Sequence, residues 1–259
     1  MTTFFRFLVI GLAVALASGN VQAQKWTKVR IATEGAYPPF NYVDKDGRVG
    51  GFDVDIANAL CEEMKVQCTI VAQDWDGIIP GLLAKKYDAI VASMAITEER
   101  KKRIDFSDKY YQTVARFVAK KGSGIEIGRE GLKGKTIGVQ RATIHANYLN
   151  DNYKGVVNIK EYDNYENAYI DLAAGRVDAI LDDNVALWAF LQKPEGKNFE
   201  FVGPPATGKW FGEGKGIAVR KEDQDLKTMF NKALATIRAN GTYKKINEKY
   251  FPFDLYPQS

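Results

Sequence analysis

Tyr87-Asp88-Ala89-Ile90-Val91-Ala92 and Val177-Asp178-Ala179-Ile180-Leu181-Asp182 are two versions of one phrase. Each is a short apolar run of the kind that forms a buried strand, introduced by an Asp-Ala pair. Each follows an amphipathic stretch that ends on a turn, at Lys85-Lys86 in the first copy and at Gly175-Arg176 in the second. A helix, a turn and a strand repeated in the two halves suggest two similar lobes, each delivering a strand end toward a shared cleft. Ligands of open α/β sheets bind at such carboxyl ends. The phrase is also short enough to recur by chance, so on its own it leaves a single-lobed arrangement open.

Outward from the echo, strand-like runs at 29–33, 68–72, 89–92, 136–139, 177–181, 199–203 and 216–219 alternate with helical patterns at 54–64, 77–85, 165–174 and 226–239. Asn240-Gly241 stops the last of these. Alternation of this kind predicts α/β architecture with every strand run buried. No low-complexity or Pro-rich linker divides the halves.

The first 23 residues read differently. Arg6 supplies a positive n-region, Phe7 to Ala17 an apolar h-region, and Ser18 to Ala23 the small residues of a cleavage site, so Gln24 is the expected new terminus of an exported protein. Eleven apolar residues are short of the roughly 20 that span a bilayer. Loss of Arg6 with the leader takes 36 basic residues to 35 against 32 acidic ones. Charges of both signs are interleaved, as in Glu98-Glu99-Arg100-Lys101-Lys102-Arg103, which argues against nucleic acid as a partner. Cys61 and Cys68, the only cysteines, lie downstream of an export signal and are expected to pair, with two buried thiols as the alternative.

Enzyme signatures are scarce. His145 is the single histidine, no Gly-x-Ser-x-Gly is present, and two Cys with one His do not make a metal site. No cofactor is implied. Asp44-Lys45-Asp46-Gly47 resembles the start of a calcium loop, but the position that needs Glu holds Asp53, and a hairpin turn is the better reading. Gly212-Glu213-Gly214-Lys215-Gly216 lacks the spacing of a phosphate loop and reads as a flexible connection before a strand. Ser93-Met94-Ala95-Ile96-Thr97-Glu98-Glu99-Arg100 is more informative. Thr97 is a natural N-cap, which sets Arg100 in the first turn of a helix, where a guanidinium can grip a carboxylate bidentately.

That segment resembles the periplasmic amino-acid-binding proteins of ATP-driven importers, the lysine/arginine/ornithine and histidine binders above all. Thr33-Glu34-Gly35-Ala36-Tyr37-Pro38-Pro39-Phe40, Gly51-Phe52-Asp53-Val54-Asp55-Ile56, Asp74-Trp75-Asp76-Gly77-Ile78-Ile79-Pro80 and Ile104-Asp105-Phe106-Ser107 extend the likeness over nearly the whole mature chain. The resemblance implies a two-lobe Venus-flytrap fold, with 24–113 and 208–259 in one lobe and 114–207 in the other. Hinge crossings would lie near Tyr111 to Ala115 and Pro205 to Lys209. It also implies a Cys61–Cys68 disulfide, a monomer, and delivery of the ligand to an inner-membrane permease with its ATPase.

The same resemblance implies roles. Arg100 would hold the ligand α-carboxylate, helped by backbone donors near Ser93 and Thr143, while Asp183 would accept from the α-ammonium. Tyr37 and Trp75 would sandwich the aliphatic stem, and Glu34 would receive a cationic side chain, which favours arginine, lysine or ornithine. Ala92 and Ala95 depart from the pattern by replacing hydroxyls. Gln140, Ile144 and His145 lie in or beside the second-lobe segment that faces the ligand, so the distal pocket is expected to be rebuilt. An opine is then a candidate, with Asp183 against it, since an intact acid suits a free α-ammonium. Each residue also has a purely structural alternative: Tyr37 and Trp75 as core aromatics, Glu34 as a turn acid, Asp183 as a helix N-cap. Two other functions use the same fold. A periplasmic dehydratase of cyclic acids would employ Glu34 or His145 as its acid or base, and a sensor subunit would present the ligand to a receptor.

Overall fold

The computed structural model describes residues 26–256, so the leader and the cleavage point at Gln24 lie outside the described residues. The chain opens with β1 (Lys28–Thr33), then a small antiparallel meander of β2 (Ala36–Tyr37), β3 (Asn41–Val43) and β4 (Val49–Gly50). Next come α1 (Phe52–Met64), β5 (Gln67–Ala72), α2 (Trp75–Leu83), β6 (Ala89–Ile90), α3 (Glu98–Lys101) and β7 (Asp105–Tyr111). A second run holds β8 (Ala115–Lys120), β9 (Thr136–Gln140), α4 (Ile144–Tyr153), β10 (Asn158–Tyr162), α5 (Tyr165–Ala173), β11 (Ala179–Asp183), α6 (Asn184–Gln192) and β12 (Phe199–Ala206). The chain ends with β13 (Lys215–Val219), α7 (Gln224–Ala239) and α8 (Thr242–Tyr250).

Two five-stranded sheets result, in the orders β5-β1-β6-β13-β7 and β10-β9-β11-β8-β12. Their pairing directions match strand for strand. In each, the first three strands are parallel and the last two pairings are antiparallel. The two echoed phrases supply the central strands, β6 and β11. The recurrence is therefore architectural: the fold has two sheet-rich lobes. The chain leaves the first sheet between β7 and β8 and returns between β12 and β13, after which α7 and α8 pack on α1.

Some expectations are corrected. Residues 68–72 do not form a buried strand, because β5 is the edge of the first sheet and most of it is exposed, Val71 by 40%. The run 89–92 is strand only over Ala89–Ile90, since the backbone turns away to a left-handed Ser93. The run 177–181 begins later and continues to Asp183. The Asp44 loop is a turn: Gly47 has φ 78° and donates to Asp44 O, and the Asp44 carboxylate accepts from the backbone of Asp46 and Arg48. Cys61 and Cys68 are bonded, tying the last turn of α1 to β5. Among the described residues no helix is long and apolar enough to cross a membrane.

Candidate functional site between the lobes

Between the carboxyl ends of the two sheets lies a narrow cavity of about 30 Å³. Glu34, Tyr37, Trp75, Ala92, Ser93, Ala95 and Arg100 line it from one lobe, and Gln140, Thr143, Ile144, His145 and Asp183 from the other. The structure thus brings together all twelve residues singled out in the sequence. Tyr165 and Lys215 complete the lining and were not among them.

The first-lobe wall is shaped by the segment between β6 and α3. Ser93 adopts φ 54°, a conformation that costs a non-glycine residue roughly 1–2 kcal/mol. It is held there from both ends: its amide donates to Tyr110 Oη at 3.0 Å and its Oγ to Asp53 Oδ2 at 2.8 Å. Asp53 also accepts from Tyr110 Oη and Asn41 Nδ2, yet its burial wins, and its pKa rises to about 6. Beyond Ser93, Thr97 caps α3 by accepting from the Arg100 amide at 3.2 Å. Arg100 then reaches back, Nη1 donating to Ala95 O at 2.9 Å, with its guanidinium 5.3 Å from the Trp75 ring centre. Burial draws its pKa down to about 10, so it stays cationic.

The Gly-rich run before β13 is no flexible connection. Ile96 donates to Gly214 O, Glu213 to Ile96 O and Gly216 to Met94 O, which lashes it to the Ser93–Thr97 segment. Gly212 is required there: at φ 71°, a Cβ would stand 2.1 Å from Ile96 O. This binding seats Lys215, 5% exposed, at the base of the cleft.

On the facing wall Thr143 caps α4, accepting from the Ala146 amide at 3.1 Å. The first amides of a helix lack intrahelical partners, and Thr143, Ile144 and His145, at the start of α4, line the cavity. Asp183 occupies the N-cap position of α6, but its carboxylate makes no capping bond. It pairs with Lys215 Nζ, accepts from Thr113 Oγ1 at 2.8 Å and Tyr37 Oη at 3.3 Å, and lies 3.5 Å from His145 Nε2. Burial pushes the Asp183 carboxyl up, but Lys215 and His145 outweigh it and hold it below the usual range. Next door, burial and the Asp183 charge push Asp182 well up, although Tyr169 and Tyr37 hydroxyls donate to it. Burial also lowers the His145 pKa, which leaves the imidazole neutral at pH 7. His145, Asp182 and Asp183 bring potential metal ligands within 4.8 Å of one another, but their oxygens already serve Lys215, Thr113 and the tyrosines.

Gln140 Nε2 donates to Glu34 Oε1 at 2.6 Å across the cleft. Burial raises the Glu34 pKa to about 7 in spite of that bond. Tyr37 Oη to Asp182, Trp75 Nε1 to Ala142 O at 3.1 Å, and the Arg141–Asp76 ion pair also join the lobes. The lobes are therefore closed on each other. Chemically, the cleft offers a buried guanidinium able to grip a carboxylate, aromatic side chains and a titratable acid.

Tyr165 was missed because helical periodicity accounts for it fully: it opens α5, and only the fold turns its hydroxyl to Leu181 O and His145 Nδ1. Lys215 carried a signal that was passed over, a lone charge at the head of an apolar strand.

The chain matches the bacterial extracellular solute-binding proteins, family 3, over residues 29–253. It is 51% identical over 231 residues to an L-arginine-binding protein of Pseudomonas aeruginosa, covering 88% of this chain and 89% of that one. It is 44% identical over 252 residues to a lysine/arginine/ornithine-binding periplasmic protein of Escherichia coli, covering 96% of each. Among solved structures, an ancestral arginine-binding protein bound to arginine superposes with a TM-score of 0.80 at 39% identity, over 87% of this chain and 98% of that one. With the two matched sheets and the cleft between them, these likenesses identify the chain as a member of the bacterial extracellular solute-binding proteins, family 3.

Proposed function

We propose that the protein captures an amino acid of the basic class outside the inner membrane and hands it to an importer with an ATPase. The observation that carries this is the polarity of one enclosed cleft. Arg100, Glu34, Trp75, Tyr37 and the first turn of α4 all line it. A carboxylate, an apolar stem and a cationic side chain fit that set of surfaces. The relatives' names, arginine binding and lysine/arginine/ornithine binding, support the same class. In this reading Arg100 holds the carboxylate, Glu34 the side-chain cation, and Ser93 and Thr143 add donors. The lobes, 24–113 with 208–259 and 114–207, turn on crossings at 111–115 and 205–209, and the leader is removed after Ala23.

The protein acts as a monomer and catalyses nothing. Glu34 and His145 are the candidate acid and base of a dehydratase, but Glu34 is tied to Gln140, and His145 is wedged between Asp183 and Tyr165. The test is a thermal-shift panel of the protein amino acids on the mature chain, since binding to the native state alone raises apparent stability. Arginine, lysine, ornithine or histidine should raise the melting temperature most. A stronger response to glutamate or aspartate overturns the reading, and turnover of a bound ligand seen by mass spectrometry overturns the non-enzymatic part.

A further inference from the structure

We propose that Asp53, which lines no part of the cavity, is the positioning residue of its first-lobe wall: one buried carboxylate holds both the Ser93 turn and the Glu34–Tyr37 turn in the shape that meets a ligand. This rests on the reading above in one respect, the choice of a basic amino acid as the probe.

Two turns on this wall pass through left-handed backbone, Gly35 at φ 82° and Ser93 at φ 54°. Asp53 reaches both. Its Oδ2 accepts from Ser93 Oγ at 2.8 Å and from Asn41 Nδ2 at 2.8 Å. Asn41 passes the link on, its Oδ1 accepting from the Gly35 amide at 2.8 Å. The other oxygen, Oδ1 of Asp53, accepts from Tyr110 Oη at 2.6 Å. An ionised carboxylate can only accept. It therefore draws the Tyr110 proton toward itself, and the Tyr110 oxygen is left to receive the Ser93 amide at 3.0 Å. In the same way it takes the nitrogen of the Asn41 amide and turns the oxygen to Gly35. A side chain at 53 that also donates sets neither direction.

Local needs do not account for an acid at this place. Asp53 lies in the first turn of α1, yet that helix has Gly51 as its N-cap and no side-chain capping bond. The residue is 0% exposed and its three donors are neutral groups, a costly setting for a charge. Burial raises its pKa to about 6, against those three bonds and the charge of Lys215. The stability linked to such a raised carboxyl is present below its ordinary 3.8 and lost as pH rises through about 6, so the ionised group counts against folding at neutral pH. An acid that weakens the fold, yet fixes two turns of the binding wall, is placed for binding.

The test is calorimetry on the mature chain with L-arginine, joined to a crystal structure of the ligand-free variant. Asp53→Asn keeps the size of the side chain but turns an amide N–H toward at least one of the three donors. It should weaken arginine by about tenfold or more, and in the crystal Ser93 should leave the left-handed region. Ser93→Gly gives that turn a residue which enters the region unaided, as Gly35 already does. In the Ser93→Gly background the same Asp53→Asn change should cost less than about threefold. An acid that serves stability alone costs the same with either residue at 93. Tyr110→Phe opens the ring of bonds at another corner, should show the same dependence on residue 93, and replaces Asp53→Asn if that variant does not fold. Unchanged affinity in Asp53→Asn, or an equal loss in the Ser93→Gly background, overturns the proposal. Failure of the underlying reading looks different: the wild type binds neither arginine nor any other basic amino acid. The crystal structure then decides alone, and Ser93 still at positive φ in the variant overturns the proposal.

Discussion

Arg100 is the residue on which the proposed recognition turns, and its setting shows why a substitution there should be costly. The guanidinium is positioned by a capped turn, a bond to Ala95 O and the Trp75 face before any ligand arrives. Arg100→Ala should lower affinity for the best ligand by more than about a hundredfold, near 3 kcal/mol, because a carboxylate would be buried unpaired. Calorimetry on the folded variant reads this directly. Glu34 gives the site a pH dependence whose sign is set by its raised pKa. Between its ordinary 4.5 and about 7, the folded, ligand-free protein holds a proton that the unfolded chain has released. Its contribution to stability is therefore present at low pH and lost as pH rises through about 7. A cationic side chain favours the ionised form, so binding should release a proton, and affinity should climb between about pH 5.5 and 7.5. Calorimetry in buffers of different ionisation enthalpy counts the proton, and Glu34→Gln should flatten the climb. Twelve of the lining residues were legible because their types are chemically telling where they fall. Tyr165 and Lys215 were not, since a helix-start tyrosine and a lysine between glycines acquire meaning only from what the fold sets opposite them.

At the scale of elements, two local devices hold the first-lobe wall. Thr97→Ala removes the cap on α3 and should destabilise by about 0.5–2 kcal/mol. It should also weaken binding, since the same turn aims Arg100; urea unfolding and calorimetry separate the two effects. The Cys61–Cys68 bond closes a short loop at the sheet edge, away from the cavity lining. Replacing both cysteines by serine should cost about 2–3 kcal/mol and leave affinity within about twofold. Helices α1, α2, α5 and α7 were readable from their apolar spacing to within two residues. Strands β7 and β8 escaped notice, because Asp105, Asp108 and Lys109 in one and Arg116 in the other interrupt the apolar runs that mark buried strands. Strand β5 misled in the opposite sense: Ile70 and Val71 are apolar, but no neighbouring strand covers that edge.

For the whole molecule, the echo between the halves predicted two lobes, and the matched strand orders explain why it exists. Closure depends on bonds that cross the cleft, and Tyr37 is central to them, touching both Asp182 and Asp183 from the opposite lobe. Tyr37→Phe deletes those bonds and keeps the ring. It should lower affinity by about five- to tenfold and leave the ligand-free protein more extended in small-angle X-ray scattering, with compaction restored at saturating ligand.

The strand orders have a temporal side as well. The second lobe is one continuous run, β8 to β12, and can assemble as soon as that run is complete. In the first lobe β6 and β7 must wait for β13, their common neighbour, which comes after the entire second lobe in the chain. A ribosome or a translocation channel releasing this protein from its amino end therefore emits the beginning of the first lobe early and its missing middle strand late. The half that is born first is the half that finishes last, and until Lys215 to Val219 emerge, nothing locks the leading segment into a shape too bulky to thread.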